Sequence, residues 1–567
     1  MPTSCLAITG TKAKRSFTRW ALNLAAKDKR RITGLATSAA VLLWFCFAYL
    51  AARPLSQAPV EDSWIYEHAV THFNRTEKIQ FPGFTQALPV AQVLYGVAWS
   101  RVLGETSRSL DISTALLGIG GGLLFYQLAR KCGAEAWTAA IATALLICNP
   151  CYLFLSFSFM TEVPFLAVLL ASYAAFAYAS HHLPWRWLWL AAAGAAVGFA
   201  VRPFGAATIV GEASALLIPR DDQSDAKSRA KIVAIVPFIA ALMACAGFWI
   251  WLTRLNPKPW MLEYHEYRLR TYFTMVPLRS YLARGMLEPA IYLGIVLSPL
   301  GVLHAIRCWR RSAVIAAAIL ASSIIILRLD HEPVWNLEQA TCFGGSYGAL
   351  VLSGVPQHDF SAKLAWMLLI VGGVGFAGIC NACWEAIHND NRAILAMLFA
   401  GVIYWAAMPF LWFFADRYDL VLMPAACLPL ALAPLPRRTV ALPIAGLMTT
   451  ALALVSVAGL VSYHRTMQKI VMETDTLLQQ GIPRKQIDAG YSLNGRDLYI
   501  YPARGIDAAR DEPRIPLITT PTTLPYVIST SPIHDTVIWR RFSACGPLGF
   551  GRRPLFVLRA TRPSASP

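Results

Sequence analysis

Carboxylates and aromatic residues that could support chemistry stand just beyond the first long apolar run. "PVEDSWIYEHAV" places Glu61 and Asp62 side by side, followed by Trp64 and Tyr66. Acidic residues are scarce here, with 32 Asp and Glu against 50 Lys and Arg in 567 residues. Because partial desolvation near a membrane raises the basicity of a carboxylate, such a pair suits general-base chemistry.

Two kinds of charged group, carboxylates and arginines, occur at the ends of later apolar runs. The further candidates are Glu162 in "FSFMTEVPF", Arg202 in "FAVRPFG", Arg268 and Arg270 in "EYHEYRLRTYF", and Arg417 and Tyr418 in "FADRYDLVLMP". Arginine binds phosphate bidentately and stays charged while doing so. Together these groups fit a reaction in which a lipid-linked phosphate leaves while an acceptor hydroxyl or amine loses its proton.

Each of these residues also has a structural interpretation. A glutamate at a helix start interacts with the helix dipole, and an arginine at the end of a span can reach the interface as an anchor. Aromatic residues such as Trp64 and Tyr66 are typical interfacial anchors. Glu212, inside a predicted span, fits a packed or protonated carboxyl. The functional interpretation depends on at least four of the charged candidates sharing one predicted face.

The composition indicates which elements must position these residues. The chain is 56% hydrophobic and 14% charged, and its mean hydropathy is +0.48. Soluble domains carry about 25% charged residues. Apolar runs near 20 residues recur, and each can cross a hydrocarbon core of about 30 Å. The sequence therefore predicts an all-α polytopic membrane protein.

The net charge of +18 indicates membrane lipids as partners rather than nucleic acid. The basic residues lie mainly in short loops between predicted spans, which is the positive-inside pattern. Anionic headgroups or phosphates are the expected partners of such loops. A basic N-terminal segment before the first apolar run predicts an uncleaved signal anchor and a cytoplasmic N-terminus.

The apolar runs predict thirteen membrane spans, an odd number that places the C-terminus outside. The predicted spans are 33–52, 109–129, 135–155, 163–180, 187–201, 204–219, 232–252, 286–306, 312–327, 364–383, 393–413, 418–435 and 439–462. The segment 89–104 is apolar but short, and predicts an interfacial helix. We assign the loop 253–285 to the outer side despite its basic residues, because long loops are translocated across the membrane largely regardless of their charge.

Two domains follow from this topology. Residues 1–462 form a transmembrane domain with its first outer loop at 53–108. Residues 463–567 predict a small extramembrane α/β domain, because charges, prolines and strand-like runs such as "PYVIST" and "PLFVLRA" replace the apolar segments. Cys380 and Cys383 form a CxxC pair without a second pair or histidines, so they predict no metal site.

Several motifs occur in a characteristic order along the first 220 residues. They are the Asp62 to Tyr66 spacing, the Pro-led segment from Pro89 to Gly104, Arg108 at the start of the second span, the turn with Thr161, Glu162 and Pro164, and Arg202 at the end of the fifth span. In order and spacing these motifs resemble the membrane-integral glycosyltransferases that use polyprenyl-phosphate sugars, specifically the protein O-mannosyltransferase and lipid A aminoarabinose transferase group.

The resemblance implies a glycosyltransferase C-type fold and an inverting sugar transfer from a polyprenyl-phosphate donor at the outer face. It implies Asp62 as the general base and Glu162 as a residue that positions the acceptor or the sugar. The remaining candidates would bind substrate: Glu61, Tyr66, Arg202, Arg268, Arg270, Arg417 and Tyr418. The acceptor is unknown. No cofactor is certain, and a divalent cation stays open.

The sequence departs from the family pattern at two positions. The second acid of the pair usually follows the base, whereas here Ser63 follows Asp62 and Glu61 precedes it. The lysine that the aminoarabinose enzymes carry before the proline is Leu88 here.

Two other classes of function remain as alternatives, a lipid or glycan transporter and a polysaccharide polymerase or ligase. A transporter would predict inverted repeats and corresponding broken spans, and neither is visible.

Overall fold

The protein is described by a computed structural model that is mostly helical. The described residues are 32–54, 58–82, 85, 87–179, 184–218, 233–255, 278–330, 352–354, 362–388, 391–410, 415–498, 524–545 and 551–561. The basic N-terminal segment therefore lies outside them, as does most of the 253–285 loop.

Eighteen α-helices are assigned within the described ranges and are numbered in chain order. They are α1 (Ile32–Ala52), α2 (Ser63–Thr76), α3 (Val90–Leu103), α4 (Ser107–Lys131), α5 (Ala136–Ile147), α6 (Pro150–Ser156), α7 (Glu162–Ala179), α8 (Trp185–Val201), α9 (Gly205–Leu217), α10 (Val236–Leu255), α11 (Leu278–Val296), α12 (Ser298–Arg307), α13 (Trp309–Asp330), α14 (Ala362–His388), α15 (Arg392–Ala407), α16 (Met423–Leu432), α17 (Arg438–Gln479) and α18 (Tyr491–Leu498). Short 3-10 helices occupy Met408–Phe410, Asp416–Leu422 and Arg484–Gln486.

The helices confirm a polytopic membrane architecture. In the part of the chain that the structure describes, eight helices are long and apolar enough to cross a membrane: α1, α4, α7, α10, α13, α14, α15 and α17. Two bent pairs, α5 with α6 and α11 with α12, satisfy the same criteria together, and α8 and α9 are shorter apolar helices. The predicted span 418–435 differs from these, because its first part is the 3-10 helix Asp416–Leu422 and only the ten residues of α16 follow.

Two predicted spans are broken where the sequence analysis expected continuous helices. The α5–α6 pair bends by 64° and the α11–α12 pair by 95°. Proline lacks an amide hydrogen and fits best in the first turn of a helix, and Pro150 and Pro299 each stand in the first turn of the second helix of a pair. The side-chain oxygen of Asn149 accepts hydrogen bonds from the amides of Cys151 and Tyr152, at 2.8 and 3.2 Å, and thereby caps α6.

The last membrane helix is longer than the sequence analysis expected. The predicted span ends at residue 462, but α17 continues to Gln479. The continuation buries Tyr463, Met467 and Ile470 on one side, at the three- and four-residue spacing of an amphipathic helix. The predicted boundary between residues 462 and 463 therefore lies inside a continuous helix.

The C-terminal part contains a four-stranded mixed sheet. The strands are β1 (Ile487–Asp488), β2 (Tyr526–Ser529), β3 (Thr536–Cys545) and β4 (Arg552–Ala560), in the spatial order β1-β2-β4-β3. β1 is parallel to β2, and the other neighbours are antiparallel. Arg540 of β3 pairs with Glu473 of α17 at 3.1 Å, so the sheet is attached to the extended helix.

The C-terminal part also contacts the segment that was predicted as the first outer loop, through α2 and α18. Trp64 of α2 is fully buried and lies against Gly495 of α18, where a Cβ atom would stand 2.2 Å from the Trp64 ring. The rings of Trp64 and Tyr491 meet edge to face at 6.0 Å. Only glycine leaves room for the indole at position 495, and this close approach brings the start of α18 beside Asp62.

Candidate active site

Arg417 binds three carboxylates that come from two distant parts of the chain. It lies in the 3-10 helix Asp416–Leu422, directly before α16. Its Nη1 atom pairs with Glu61, its Nη2 atom lies 2.8 Å from Asp62 Oδ2, and its Nε atom lies 3.2 Å from Glu162 Oε1. One guanidinium thus joins the first outer loop to the start of α7.

Arg202 approaches the same glutamate from the end of α8. Its Nη2 atom donates to Glu162 Oε1 at 2.5 Å, and its Nε atom donates to Thr161 Oγ1 at 2.7 Å. Arg202 has an extended backbone with φ −146° and ψ 134°. The following Pro203 favours this conformation, because a proline ring disfavours helical geometry in the preceding residue. The local sequence therefore ends α8 where the arginine can reach Glu162.

Tyr418 lies between the two arginines. Its ring centroid is 5.4 Å from Cζ of Arg202 and 5.6 Å from Cζ of Arg417. Tyr404 of α15 donates a hydrogen bond to the Tyr418 carbonyl at 3.0 Å and holds this segment in place. The electron-rich face of the ring attracts both guanidinium groups, so Tyr418 helps to keep the two cations close together.

Glu61 has a backbone conformation that directs consecutive carboxylates to one cation. Its φ of 46° lies in the left-handed region, which is uncommon for residues other than glycine. Its carbonyl oxygen accepts a hydrogen bond from Ser492 Oγ at 3.3 Å. This local strain has a clear structural result: Glu61 and Asp62 both reach Arg417 although they are neighbours in sequence.

Both carboxylate oxygens of Asp62 are hydrogen-bonded. Arg417 donates to Oδ2 at 2.8 Å, and the Tyr491 hydroxyl donates to Oδ1 at 2.5 Å. The Asp62 side chain nevertheless keeps 19% of its surface exposed, against 6% for Glu61 and 0% for Glu162. Among the three acids bound to Arg417, Asp62 is therefore the one that a substrate can reach most easily.

The environment makes Asp62 a stronger base than an ordinary aspartate. Burial raises the pKa of its carboxyl to about 6, and the negative charge of Glu162 acts in the same direction. The Tyr491 hydrogen bond and the charge of Arg202 lower the pKa and offset part of this effect. Burial, followed by the charge of Asp62, raises the pKa of Tyr66, so its phenol stays protonated.

The structure brings together most of the residues singled out from the sequence. Glu61, Asp62, Tyr66, Glu162, Arg202, Arg417 and Tyr418 belong to one cluster. Arg268 and Arg270 lie outside the described residues. Glu212 has a separate structural contact, a 2.9 Å hydrogen bond from Ser172.

Three contributors were missed in the sequence analysis. Thr161 stood inside a quoted motif but received no role, although its hydroxyl accepts from Arg202. Tyr491 and Ser492 lie more than 400 positions from the loop that they contact. A single tyrosine in a polar tail has no periodicity or motif that would have predicted this contact.

The carboxylates of this cluster are not arranged as ligands for a divalent cation. Within the described ranges, no three His, Cys, Asp or Glu side chains are grouped so that they could hold a metal ion. Instead, Glu61, Asp62 and Glu162 face guanidinium groups that already neutralise them. No step is therefore assigned to a metal.

The family comparison confirms the resemblance in one part of the chain. Residues 105–211 match the family described as dolichyl-phosphate-mannose-protein mannosyltransferase. This segment contains Thr161, Glu162 and Arg202, whereas Asp62 and Arg417 lie outside it. The match supports a glycosyltransferase that uses a lipid-phosphate sugar donor, the enzyme class expected from the sequence motifs. A search of curated protein sequences finds no match.

Solved structures with a similar arrangement are distant. ArnT from Cupriavidus metallidurans bound to undecaprenyl phosphate is 12% identical, with 94% of this chain and 100% of that chain covered and a TM-score of 0.43. The oligosaccharyltransferase AglB from Archaeoglobus fulgidus is 13% identical, with 78% and 59% covered and a TM-score of 0.39. The S. cerevisiae Pmt1–Pmt2 complex bound to its sugar donor is 12% identical, with 39% and 34% covered and a TM-score of 0.30. Similarity at this level assigns no residue and no substrate.

Glu162→Gln should destabilise the protein strongly. The change keeps the size of the side chain but removes the negative charge shared by two buried arginines. Breaking a buried ion pair in this way typically costs about 3–5 kcal/mol. Thermal unfolding of the purified protein in detergent measures the effect.

Glu385→Gln provides the matched control. Glu385 pairs with Arg307 at 3.0 Å, and both side chains are about a third exposed. An exposed pair contributes about 0–1 kcal/mol, so this variant should unfold almost as the wild type does. Equal unfolding midpoints for the two variants would contradict the importance given to Glu162.

Proposed function

We propose that this protein transfers a sugar from a polyprenyl-phosphate carrier to an acceptor at the outer membrane boundary, with inversion at the anomeric carbon. The observation that carries the proposal is the cluster around Arg417. It places a partly accessible carboxylate of raised pKa beside two arginines at the ends of membrane helices. The N-terminus would face the cytoplasm, and the C-terminal part would lie outside.

Asp62 would act as the general base. As the acceptor oxygen or nitrogen forms a bond to the anomeric carbon, its proton passes to the Asp62 carboxylate. The bond between the anomeric carbon and the phosphate oxygen breaks, and polyprenyl phosphate leaves with the electron pair. Arg417, which stays charged, would hold Asp62 in position during this proton transfer.

Arg202 is the proposed contact for the phosphate. Its Nε and Nη2 atoms bind Thr161 and Glu162, while Nη1 makes no hydrogen bond within the described part of the chain. A guanidinium held on one edge presents its other edge in a fixed direction, as electrostatic stabilisation of a leaving group requires. Arg268 and Arg270 are proposed as further phosphate contacts.

Glu162 would act mainly through the two arginines. It is completely buried, and its Oε1 atom pairs with both of them. We therefore assign it the positioning of Arg202 and Arg417, whereas the sequence analysis assigned it the positioning of the acceptor or the sugar. Tyr66 and Tyr418 would line the same site, and the acceptor itself stays open.

Asp62→Asn should abolish sugar transfer while the donor still binds. Asparagine keeps the shape of the side chain but accepts no proton, and a lost general base costs roughly 10²- to 10⁴-fold in rate. The assay uses purified protein in detergent, with polyprenyl-phosphate mannose and polyprenyl-phosphate aminoarabinose tested in parallel, and it measures the release of polyprenyl phosphate. Because no gradient exists in detergent, a transporter would release none.

Glu61→Gln is the matched comparison, since it changes the neighbouring acid that also binds Arg417. Its effect should be smaller than that of Asp62→Asn, because Glu61 is more buried than Asp62. An inactive Glu61 variant together with an active Asp62 variant would show that the base has been assigned to the wrong residue.

The rate should fall on the acidic side of about pH 6. Burial raises the pKa of Asp62 to about 6, and only the deprotonated carboxylate can accept a proton. The value of kcat/KM should therefore rise between pH 5 and pH 7 and then level off, since it reports the ionisation of the free enzyme. The donor is a phosphodiester that keeps one negative charge throughout this range. A profile that stays flat from pH 5 to pH 7 would rule out Asp62 as the base at this pKa.

A further inference from the structure

A phenol occupies the position that an acceptor hydroxyl needs. The Tyr491 hydroxyl donates to Asp62 Oδ1 at 2.5 Å, while Arg417 takes the other oxygen at 2.8 Å. An acceptor hydroxyl that transfers its proton to Asp62 must first donate the same kind of hydrogen bond. Each carboxylate oxygen can accept more than one hydrogen bond, but Arg417 and the Tyr491 ring already stand against a side chain that is only 19% exposed. An acceptor hydroxyl that takes the Oδ1 position must therefore compete with the phenol.

Tyr491 is the partner that can be displaced. Arg417 also binds Glu61 and Glu162 and is buried, so its removal would break two further ion pairs. Tyr491 belongs to α18, which is docked on the first outer loop from outside the membrane. The contacts of α18 with that loop include the Ser492 hydrogen bond to the Glu61 carbonyl, the packing of Gly495 and Tyr491 on Trp64, and hydrogen bonds between His68 and the backbone of Gly495 and Arg496.

A rigid turn fixes α18 to the small sheet. Asp488, at the end of β1, accepts hydrogen bonds from the Gly490 amide at 3.0 Å and from Asn494 Nδ2 at 2.7 Å. The Ala489 amide donates to Asn494 Oδ1 at 3.0 Å. Gly490, with φ 89°, supplies the left-handed backbone directly before Tyr491. A displacement of Tyr491 would therefore move α18 together with this turn.

We propose that the Tyr491 hydroxyl occupies the acceptor subsite, which lies between α2 and α18. A hydroxyl-bearing acceptor displaces the phenol from Asp62 when it binds there. The inference rests on the proposed function, because it takes Asp62 as the base. In the occupied subsite, the acceptor O–H bond breaks and its proton goes to Asp62. The oxygen bonds to the anomeric carbon, and polyprenyl phosphate leaves with the electron pair.

While no acceptor is bound, the Tyr491 phenol shields the Asp62 carboxylate. It covers Asp62 Oδ1 and keeps water from the base, so it protects the donor from hydrolysis. Burial and the negative charge of Asp62 raise the pKa of the Tyr491 hydroxyl. The phenol therefore stays neutral while no acceptor is bound.

Tyr491→Phe tests the inference because it removes the hydroxyl and keeps the ring on Trp64. With polyprenyl-phosphate mannose and no acceptor, the variant should release mannose into water about tenfold or more faster than the wild type. This is the factor expected when one hydrogen bond to a charged group no longer competes with water. The acidic limb of the profile should also move to higher pH, because the Tyr491 hydrogen bond lowers the pKa of Asp62.

Two further variants complete the test. Tyr526→Phe changes a tyrosine of the same C-terminal part whose ring packs on Trp539 at 6.1 Å, and it should behave as the wild type. Ser492→Ala loosens α18 without touching the phenol, and it should raise hydrolysis by a smaller factor than Tyr491→Phe. The second variant keeps the inference testable if Tyr491→Phe fails to fold.

The outcomes separate this inference from the function on which it rests. If the wild type transfers sugar and Asp62→Asn does not, but Tyr491→Phe matches Tyr526→Phe in hydrolysis and in pH profile, the acceptor subsite is wrong and the function stands. If the wild type, Tyr491→Phe and Asp62→Asn release polyprenyl phosphate equally slowly from both donors, with a detergent extract of membranes supplied as the source of acceptor, the proposed function fails and the subsite fails with it.

Discussion

The candidate site depends on the pairing of three carboxylates with two buried arginines. An unpaired charge away from water is costly, and a buried ion pair is tolerated only when its geometry satisfies both partners. Arg417 contacts Glu61, Asp62 and Glu162, and Arg202 contacts Glu162. These contacts hold together the first outer loop, the start of α7, the end of α8 and the 3-10 helix before α16.

The surroundings of Asp62 explain how a partly buried carboxylate can serve as a base. Desolvation alone would raise the pKa of Asp62 further, and the acid would then hold its proton. The charge of Arg202 and the Tyr491 hydrogen bond limit this rise, and the pKa settles at about 6. Asp62 is thus more basic than an exposed aspartate and still ionised at neutral pH. Because Asp62 is also the most exposed of the three acids, geometry and ionisation favour the same residue.

Much of this architecture could be predicted from the sequence, since apolar runs of span length are a strong signal. The residue types at the ends of those runs also indicated the chemistry, and seven of the nine candidates lie in one cluster. Two features of the fold were visible but misinterpreted: Pro150 and Pro299 break spans that were counted as continuous, and the helical spacing of Tyr463, Met467 and Ile470 extends α17. The contact of Tyr491 with Asp62 could not be predicted from the sequence, because a contact between distant segments depends on tertiary structure alone. Arg268 and Arg270 lie outside the described residues, so their roles stay predictions.

The proposed function requires the clustered arginines to bind a lipid phosphate and not to act only as interfacial anchors. The affinity of polyprenyl phosphate for the wild type, Arg202→Ala and Arg202→Lys, in one detergent, tests it most directly. Arg202→Ala should weaken binding by about 1.5–3 kcal/mol, the usual contribution of a hydrogen bond to a charged group. Arg202→Lys should recover only part of this, because a point charge replaces a planar fork. An anchor would tolerate lysine fully, so equal affinities for all three proteins would contradict the account.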